Sequence, residues 1–263
     1  MAGREGIFRS NFTAPLLPAG CGGGAAVRDV TGRDGKQTMP VEVATMDSTD
    51  VRLSRASSEG MRMTIAHEEA IIDAAAVDAI FAEARTANAF TGEVSEEQAR
   101  AIYELTKFGP TAFNSQPLRV TYVRSAAARA TLVGALSNGN RAKTASAPLV
   151  AILSYDTSWQ ERWDTFLPGY NAPKAMYDAA PELAAATGNN NAHLQAGYFI
   201  LAVRSLGFSA GPMTGADFAA IDGAFFPDGG QASFLLVNIG QPAADAWGAA
   251  KPKFAYEEVV RTV

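Results

Sequence analysis

The chain reads as an α+β protein, with helices packed around a small sheet. Two observations predict this class. Segments with helical spacing of apolar residues outnumber those with a strand pattern, and the two kinds alternate irregularly, unlike a strand–helix–strand array. No internal repeat divides the sequence.

Residues 1–66 differ in character from the rest of the chain. They mix Gly, Ser, Asp, Thr and Arg without periodicity, so they bury too little apolar surface to offset ordering entropy and read as a disordered N-terminal extension. GCGGGA at 20–25 superficially fits a dinucleotide fingerprint, but no strand precedes it and no helix comes after it, so a loop is expected. Met61 and Met63, just before the first periodic segment, suggest a natural start nearer the domain at 67–263.

Within that domain the elements come in order. EEAIIDAAAVDAIFAEAR, from residue 68, predicts a helix with Ile71, Ile72, Ala75, Val77, Ile80, Phe81 and Ala84 on its apolar face. Ser95 and Gln98 make a capping box for the next helix, which should carry Ile102, Leu105 and Phe108 inward. That helix stops at Gly109-Pro110. LRVTYV at 118–123 alternates as a half-buried strand, and 125–136 is helical. PLVAILSY at 148–155 is a continuous apolar run, as in a central strand. The stretch 158–187 is rich in aromatics, including Trp159, Trp163, Phe166, Tyr170 and Tyr177. Residues 189–207 predict a long apolar helix ending at Gly207, 208–211 a short strand, 216–226 a helix and 232–240 a buried strand.

Composition narrows the function. A formal net charge of −5 argues against nucleic acid as main partner. No apolar run approaches the roughly 20 residues of a membrane-spanning helix, and the N-terminus lacks a signal peptide's apolar core, so a cytoplasmic protein is expected. Cys21 is the only cysteine, which leaves no intrachain disulfide or thiolate cage. His67 and His193, the only histidines, give little for a zinc site or a triad.

Four polar stations remain. ARTANAF at 84–90 ends the first helix, and taken alone Arg85, Thr86 and Asn88 would only solvate that end. GPTAFNSQP at 109–117 places donors and acceptors between two prolines, more than a helix stop requires. NGNRAKTASAP at 138–148 sets Asn140 and Lys143 a helical turn apart before the central strand, or else is a solvated connection. GFSAGPMTGADF at 207–218 reads as a short strand and Gly-Pro turn leading into a helix N-terminus, whose free N–H groups suit an electron-rich atom.

With a late Lys251-Pro252-Lys253, these stations occur in an order and at intervals that resemble the FMN-dependent nitroreductase family. From about residue 69 to the end, the chain looks like that family's malonic semialdehyde reductase branch. The resemblance implies a nitroreductase-like fold with a central mixed, mainly antiparallel sheet, and a homodimer with FMN at the subunit interface. It implies NADPH or NADH as hydride donor and a small-molecule electron acceptor, with hydride passing through flavin N5 in ping-pong fashion. Within the family the chain would reduce malonic semialdehyde to 3-hydroxypropionate; a broad nitro or quinone reductase, or a non-catalytic FMN-binding protein, are the alternatives.

Carried over residue by residue, Arg85 and Thr86 would grip the phosphate and ribityl end of FMN, with Lys251 and Lys253 completing the phosphate site. Asn140 would bond the pyrimidine edge, and Lys143 would lie where negative charge collects on reduction. Thr111, Ala112 and Asn114, shaped by Pro110, would come from the partner subunit. Gly215, beside Met213 and Thr214, would let its backbone N–H approach the flavin. No catalytic side chain and no metal are expected, because the flavin carries the chemistry. Two positions depart from many members: Asn88 stands where a basic residue is common, and Thr214 where an acidic one is. The semialdehyde reductase branch shares that neutral pair. The aromatic stretch 158–180 is the expected lining of an acceptor pocket, or else ordinary packing.

Overall fold

The computed structural model describes residues 69–263. The extension at 1–66, with Cys21, GCGGGA, Met61 and Met63, lies outside the described residues, as does His67.

The central strand forms where the apolar run predicted it. Strand β3 (Leu149–Asp156) is flanked by β2 (Leu118–Val123) on one side and β5 (Gln231–Pro242) on the other. The far side of β5 carries two short strands, β4 (Ser209–Met213) against residues 236–240 and β1 (Phe90–Thr91) at its end. All of these pairings are antiparallel. Alternation along β3 sends Leu149, Ala151 and Leu153 to one face and Val150 and Ile152 to the other, and every one is buried.

Two helical layers cover the faces. On the first, α2 (Glu96–Thr106) and α7 (Pro181–Ser205) pack Ile102, Phe199 and Val203 against the sheet. The predicted capping box closes the start of α2: Ser95 Oγ accepts from Gln98 N, and Gln98 Oε1 accepts from Ser95 N. Tyr122 of β2 donates to Ala99 O of α2, and burial pushes its phenol up to about 12. On the second face, α3 (Ala126–Gly134) and α8 (Phe218–Phe225) contribute Leu132 and Ile221. Between α3 and β3 lies α4 (Asn138–Ser146), so its side chains sit over the second face at the N-terminal end of β3.

Several predicted elements are corrected. The first helix starts at Ala74, because Asp73 caps it through Ala76 N, and Ile71 and Ile72 are exposed outside it. That helix, α1 (Ala74–Val77), runs straight into a π-helical turn at Asp78–Ala82. The longer hydrogen-bonded loop shifts the phase of the apolar face, and Phe81 points to solvent. In α2 the buried stripe is Ala99, Ile102 and Thr106; Leu105 flanks it, Phe108 lies past the helix end, and both are exposed. The long helix begins at Pro181, eight residues earlier than its apolar run suggested, and ends as predicted at Gly207 with φ +79°. Gly211-Pro212 forms no turn. It lies within β4, where an edge strand tolerates a proline.

Candidate functional site

The polar stations assemble into two groups, at opposite ends of β3. The first lies on the second face, around α4. Asn140 and Lys143 are three residues apart on that helix and so share a side. Asn140 Nδ2 donates to Gly215 O at 2.9 Å, and Ser137 N reaches the same oxygen at 3.0 Å. Lys143 Nζ meets Asn88 Oδ1 at 3.4 Å, and among the described residues no carboxylate pairs with this ammonium. Asn88 is itself fixed by its backbone N–H on Ala246 O at 2.8 Å. The glycine at 215 has a local cause: a Cβ there would stand 2.6 Å from Asn140 Nδ2 and 2.7 Å from Ser137 Oγ. Thr214 is exposed beside it, whereas the Met213 side chain turns into the core.

Arg85, with exposed Thr86 next to it, opens a groove of about 280 Å³ shared with Arg204, Gln241 and Trp247. Its guanidinium pairs with Glu83 at 3.1 Å. Lys251 and Lys253 stand exposed on the segment after β5, with no described contact to Arg85.

The second group is the loop GPTAFNSQP. It turns through a 3-10 helix at Ala112–Asn114, and Phe113, Asn114 and Gln116 all hold positive φ. Pro110, Ala112 and Asn114 are exposed, and Thr111 is half-buried. Buried side chains of α7 hold this shape: Asn191 Oδ1 accepts from Ala112 N at 2.7 Å, and Gln195 Oε1 accepts from Leu118 N at 3.1 Å. Thr111 Oγ1 accepts from Gln116 N at 3.2 Å, and Asn114 Nδ2 donates to Phe166 O at 3.3 Å. Arg119 joins the loop to β3, donating to Gln116 O at 3.0 Å and to Asp156 Oδ2 at 2.5 Å. Sequence reasoning missed Asn191, Gln195 and Arg119, although two amides at i and i+4 on an apolar helix were a readable signal.

Within one chain the two groups stay apart. Asp156 N, at the end of β3, bonds Pro117 O, whereas α4 leads into the strand's first residue. Eight residues of strand separate those points by roughly 23 Å. The groups also lie on opposite faces, since α7 holds the loop and α4 belongs to the other layer.

The aromatic stretch resolves mainly into packing. Trp159, Trp163 of α5 (Trp163–Phe166) and Tyr177 of α6 (Ala172–Ala179) are buried together, and Phe113 of the loop packs against them, tilted at 45° with its centroid 5.4 Å from Trp163. Gly188 of α7 is what Trp159 requires, because a Cβ there would lie 2.8 Å from the indole. Tyr170 alone of the named aromatics is largely exposed.

The sequence profile of the Nitroreductase family matches residues 67–241. A Streptomyces coelicolor protein provisionally named NADH dehydrogenase/NAD(P)H nitroreductase is 48% identical over 194 residues, which cover 73% of this chain and 98% of that protein. Among solved structures, a nitroreductase family protein from Streptococcus pneumoniae superposes with a TM-score of 0.61 at 19% identity, covering 69% of this chain and 96% of its own. A structure from Exiguobacterium sibiricum, described as a nitroreductase in complex with FMN, gives 0.59 at 18% identity, covering 70% and 95%. The likeness to these two lies in the fold.

Proposed function

The chain belongs to the nitroreductase family, and on that premise we propose that it is an FMN-dependent NAD(P)H oxidoreductase acting as a homodimer. One observation carries the reading: the row formed by Asn88, Lys143, Asn140 and Gly215. Its donor set fits a flavin. A half-buried ammonium with no carboxylate partner among the described residues suits an edge that gains electron density, and Asn140, its nitrogen engaged by Gly215, has its amide oxygen to offer a ring N–H. Arg85 supplies a fork for a phosphate, and the exposed Lys251 and Lys253 are further cations for it. Bound FMN would take hydride from NADH or NADPH and pass it to an acceptor. The chain's own groups bind and orient; none is assigned as acid or base.

The separation of the groups supports the homodimer that the family resemblance implies. A row without the loop is half a site, and a second copy can bring its Thr111, Ala112 and Asn114 to the first copy's Lys143. Apolar surface is available for that contact: Phe108, Phe113, Leu194 and Tyr198 are exposed, and Gly109 packs against the ring of Tyr198.

The acceptor we favour is malonic semialdehyde, reduced to 3-hydroxypropionate, because the neutral pair Asn88 and Thr214 is the pattern of the semialdehyde reductase branch that the sequence resembles. A nitroarene or quinone is the second reading, favoured by the name of the Streptomyces relative. Heat release of the flavin and chromatography of the released cofactor should yield FMN; FAD, or no flavin even after FMN is supplied, overturns the cofactor. Steady-state turnover with NADH and NADPH against malonic semialdehyde, a quinone and a nitroarene decides the acceptor. Turnover of the latter two alone would exclude the semialdehyde.

A further inference from the structure

Beneath Asn140 and Lys143, polar contacts cross an otherwise apolar layer. Thr144 and Asn238 are both fully buried. Asn238 Nδ2 donates to Thr144 Oγ1 at 3.2 Å, and that hydroxyl points at Met213 Sδ, 3.5 Å away. Asn238 Oδ1 is buried with no partner among the described residues. The surroundings are Leu132, Val150, Ile152, Ile221 and Leu236.

Stability does not account for this arrangement. A buried amide with an orphaned oxygen costs more than an apolar residue of its shape, and exchanging both partners for such residues is often neutral or stabilising. What the pair adds is direction. Dispersion and hydrophobic contact hold α4 on the sheet with no preferred direction, so small rotations about its axis are resisted by its directional bonds: Asn140 to Gly215 O, Arg129 to Thr144 O and, on the buried face, this pair.

The position of the pair gives that direction a use. Thr144 is next in the chain to Lys143 and lies one turn beyond Asn140; Met213 leads into Thr214 and Gly215; Asn238 belongs to the middle of the sheet. One hydroxyl thus ties the helix bearing the cation to both strands beneath the row. A rotation of about 10° would carry an atom at the 5–6 Å outer radius of the helix through roughly 1 Å.

We propose that Thr144 and Asn238 are positioning residues, fixing the rotation of α4 so that Lys143 and Asn140 hold their places against the flavin. The inference rests on the reading of Lys143 given above.

The test uses the FMN-loaded protein and T144V, with K143M as benchmark and T144S as the rescue that keeps the hydroxyl. T144V should lower the midpoint potential of bound FMN and slow its reduction by NAD(P)H about tenfold, since displacements near 1 Å cost up to about a hundredfold. T144V leaves Asn238 Nδ2 without its acceptor and should melt below the parent, and T144S should restore the potential, the rate and the melting temperature. Should T144V fold poorly, the pair T144V/N238L, which also removes the orphaned oxygen, carries the same expectation. A parental potential and rate in these variants, while K143M lowers both, overturns the inference. If K143M itself changes neither, the placement of Lys143 falls first and the inference falls with it.

Discussion

The two ends of β3 solve the placement of polar groups in different ways. At the α4 end each group sits on or beside regular structure. Asn140 and Lys143 are fixed by helix geometry, and Gly215 is clamped by two donors on its carbonyl. At the other end the loop departs from regular structure. Phe113, Asn114 and Gln116 occupy a region that costs a residue other than glycine about 1–2 kcal/mol each, less for asparagine. Asn191, Gln195, Arg119 and the aromatic cluster offset that cost. Strain of this kind persists only where the surroundings over-determine the conformation. On the function proposed above, the first end is there to be filled, and the second projects outward at something the same chain does not supply.

The largest expected effect tests whether that something is the other end of a second copy. K143M breaks the row and leaves the loop intact, at a cost of about 10²–10³ in rate. Ala112→Arg breaks the loop's exposed surface and leaves the row intact. Each variant alone should be nearly inactive. Unfolded together in equal amounts and refolded, they should form mixed dimers with one doubly broken and one intact site. A two-fold pairing then restores about a quarter of parental activity. Activity no higher than the better parent would mean that each chain completes its own site, and the comparison between the ends would lose its meaning.

A smaller effect probes how tightly the row is built. Gly215→Ala adds a methyl group against Asn140 Nδ2 and Ser137 Oγ. Overpacking of this kind costs about 1–3 kcal/mol, and Asn140 cannot yield without losing its bond to Gly215 O. Denaturant melts should place the variant in that range, with FMN affinity reduced as well. Ser137→Ala in the same chain should return part of the stability, because the serine contact is relieved while the asparagine contact persists. Parental stability for Gly215→Ala would show that the row is looser than these distances imply.

Much of the row was legible in sequence, and the reason is local. The i, i+3 spacing of Asn140 and Lys143 survives folding because a helix preserves it. The run at 148–155 fitted a central strand, and Ser95 with Gln98 announced the start of α2. Three-dimensional facts were less accessible. The π turn that sends Phe81 outward depends on a backbone bond that no side-chain pattern reports. Leu105 and Phe108 were read as core from their spacing alone, but the helix packs along a stripe rotated toward Thr106. The loop's left-handed residues were hidden because Phe and Gln ordinarily avoid that region; tertiary contacts from Asn191 and Trp163 override the preference. The aromatics at 159–177 gave no sign of whether they line a pocket or pack on one another, since both uses select the same residues.

The smallest expected effect concerns that strain directly. Gln116 holds φ at +43°, and its backbone N–H bonds Thr111 Oγ1, a contact that any residue except proline can keep. Its side chain adds one exposed bond to Asn114 O. Glycine at this position relieves about 1–2 kcal/mol of left-handed cost and loses about 0.5–1 kcal/mol through greater unfolded-state freedom. Loss of the exposed bond removes a few tenths more, to about 1 kcal/mol. Gln116→Gly should therefore leave stability within about 1 kcal/mol of the parent. Gln116→Val keeps the same backbone bond but carries a β-branched side chain into the left-handed region, so it should be the less stable of the two by more than the glycine differs from the parent. Denaturant midpoints at constant slope measure both. Equal midpoints for glycine and valine would mean that the loop relaxes out of the left-handed form at no cost. It would then be no stiffer than an ordinary connection, and the contrast between the two ends of β3 would reduce to their distance.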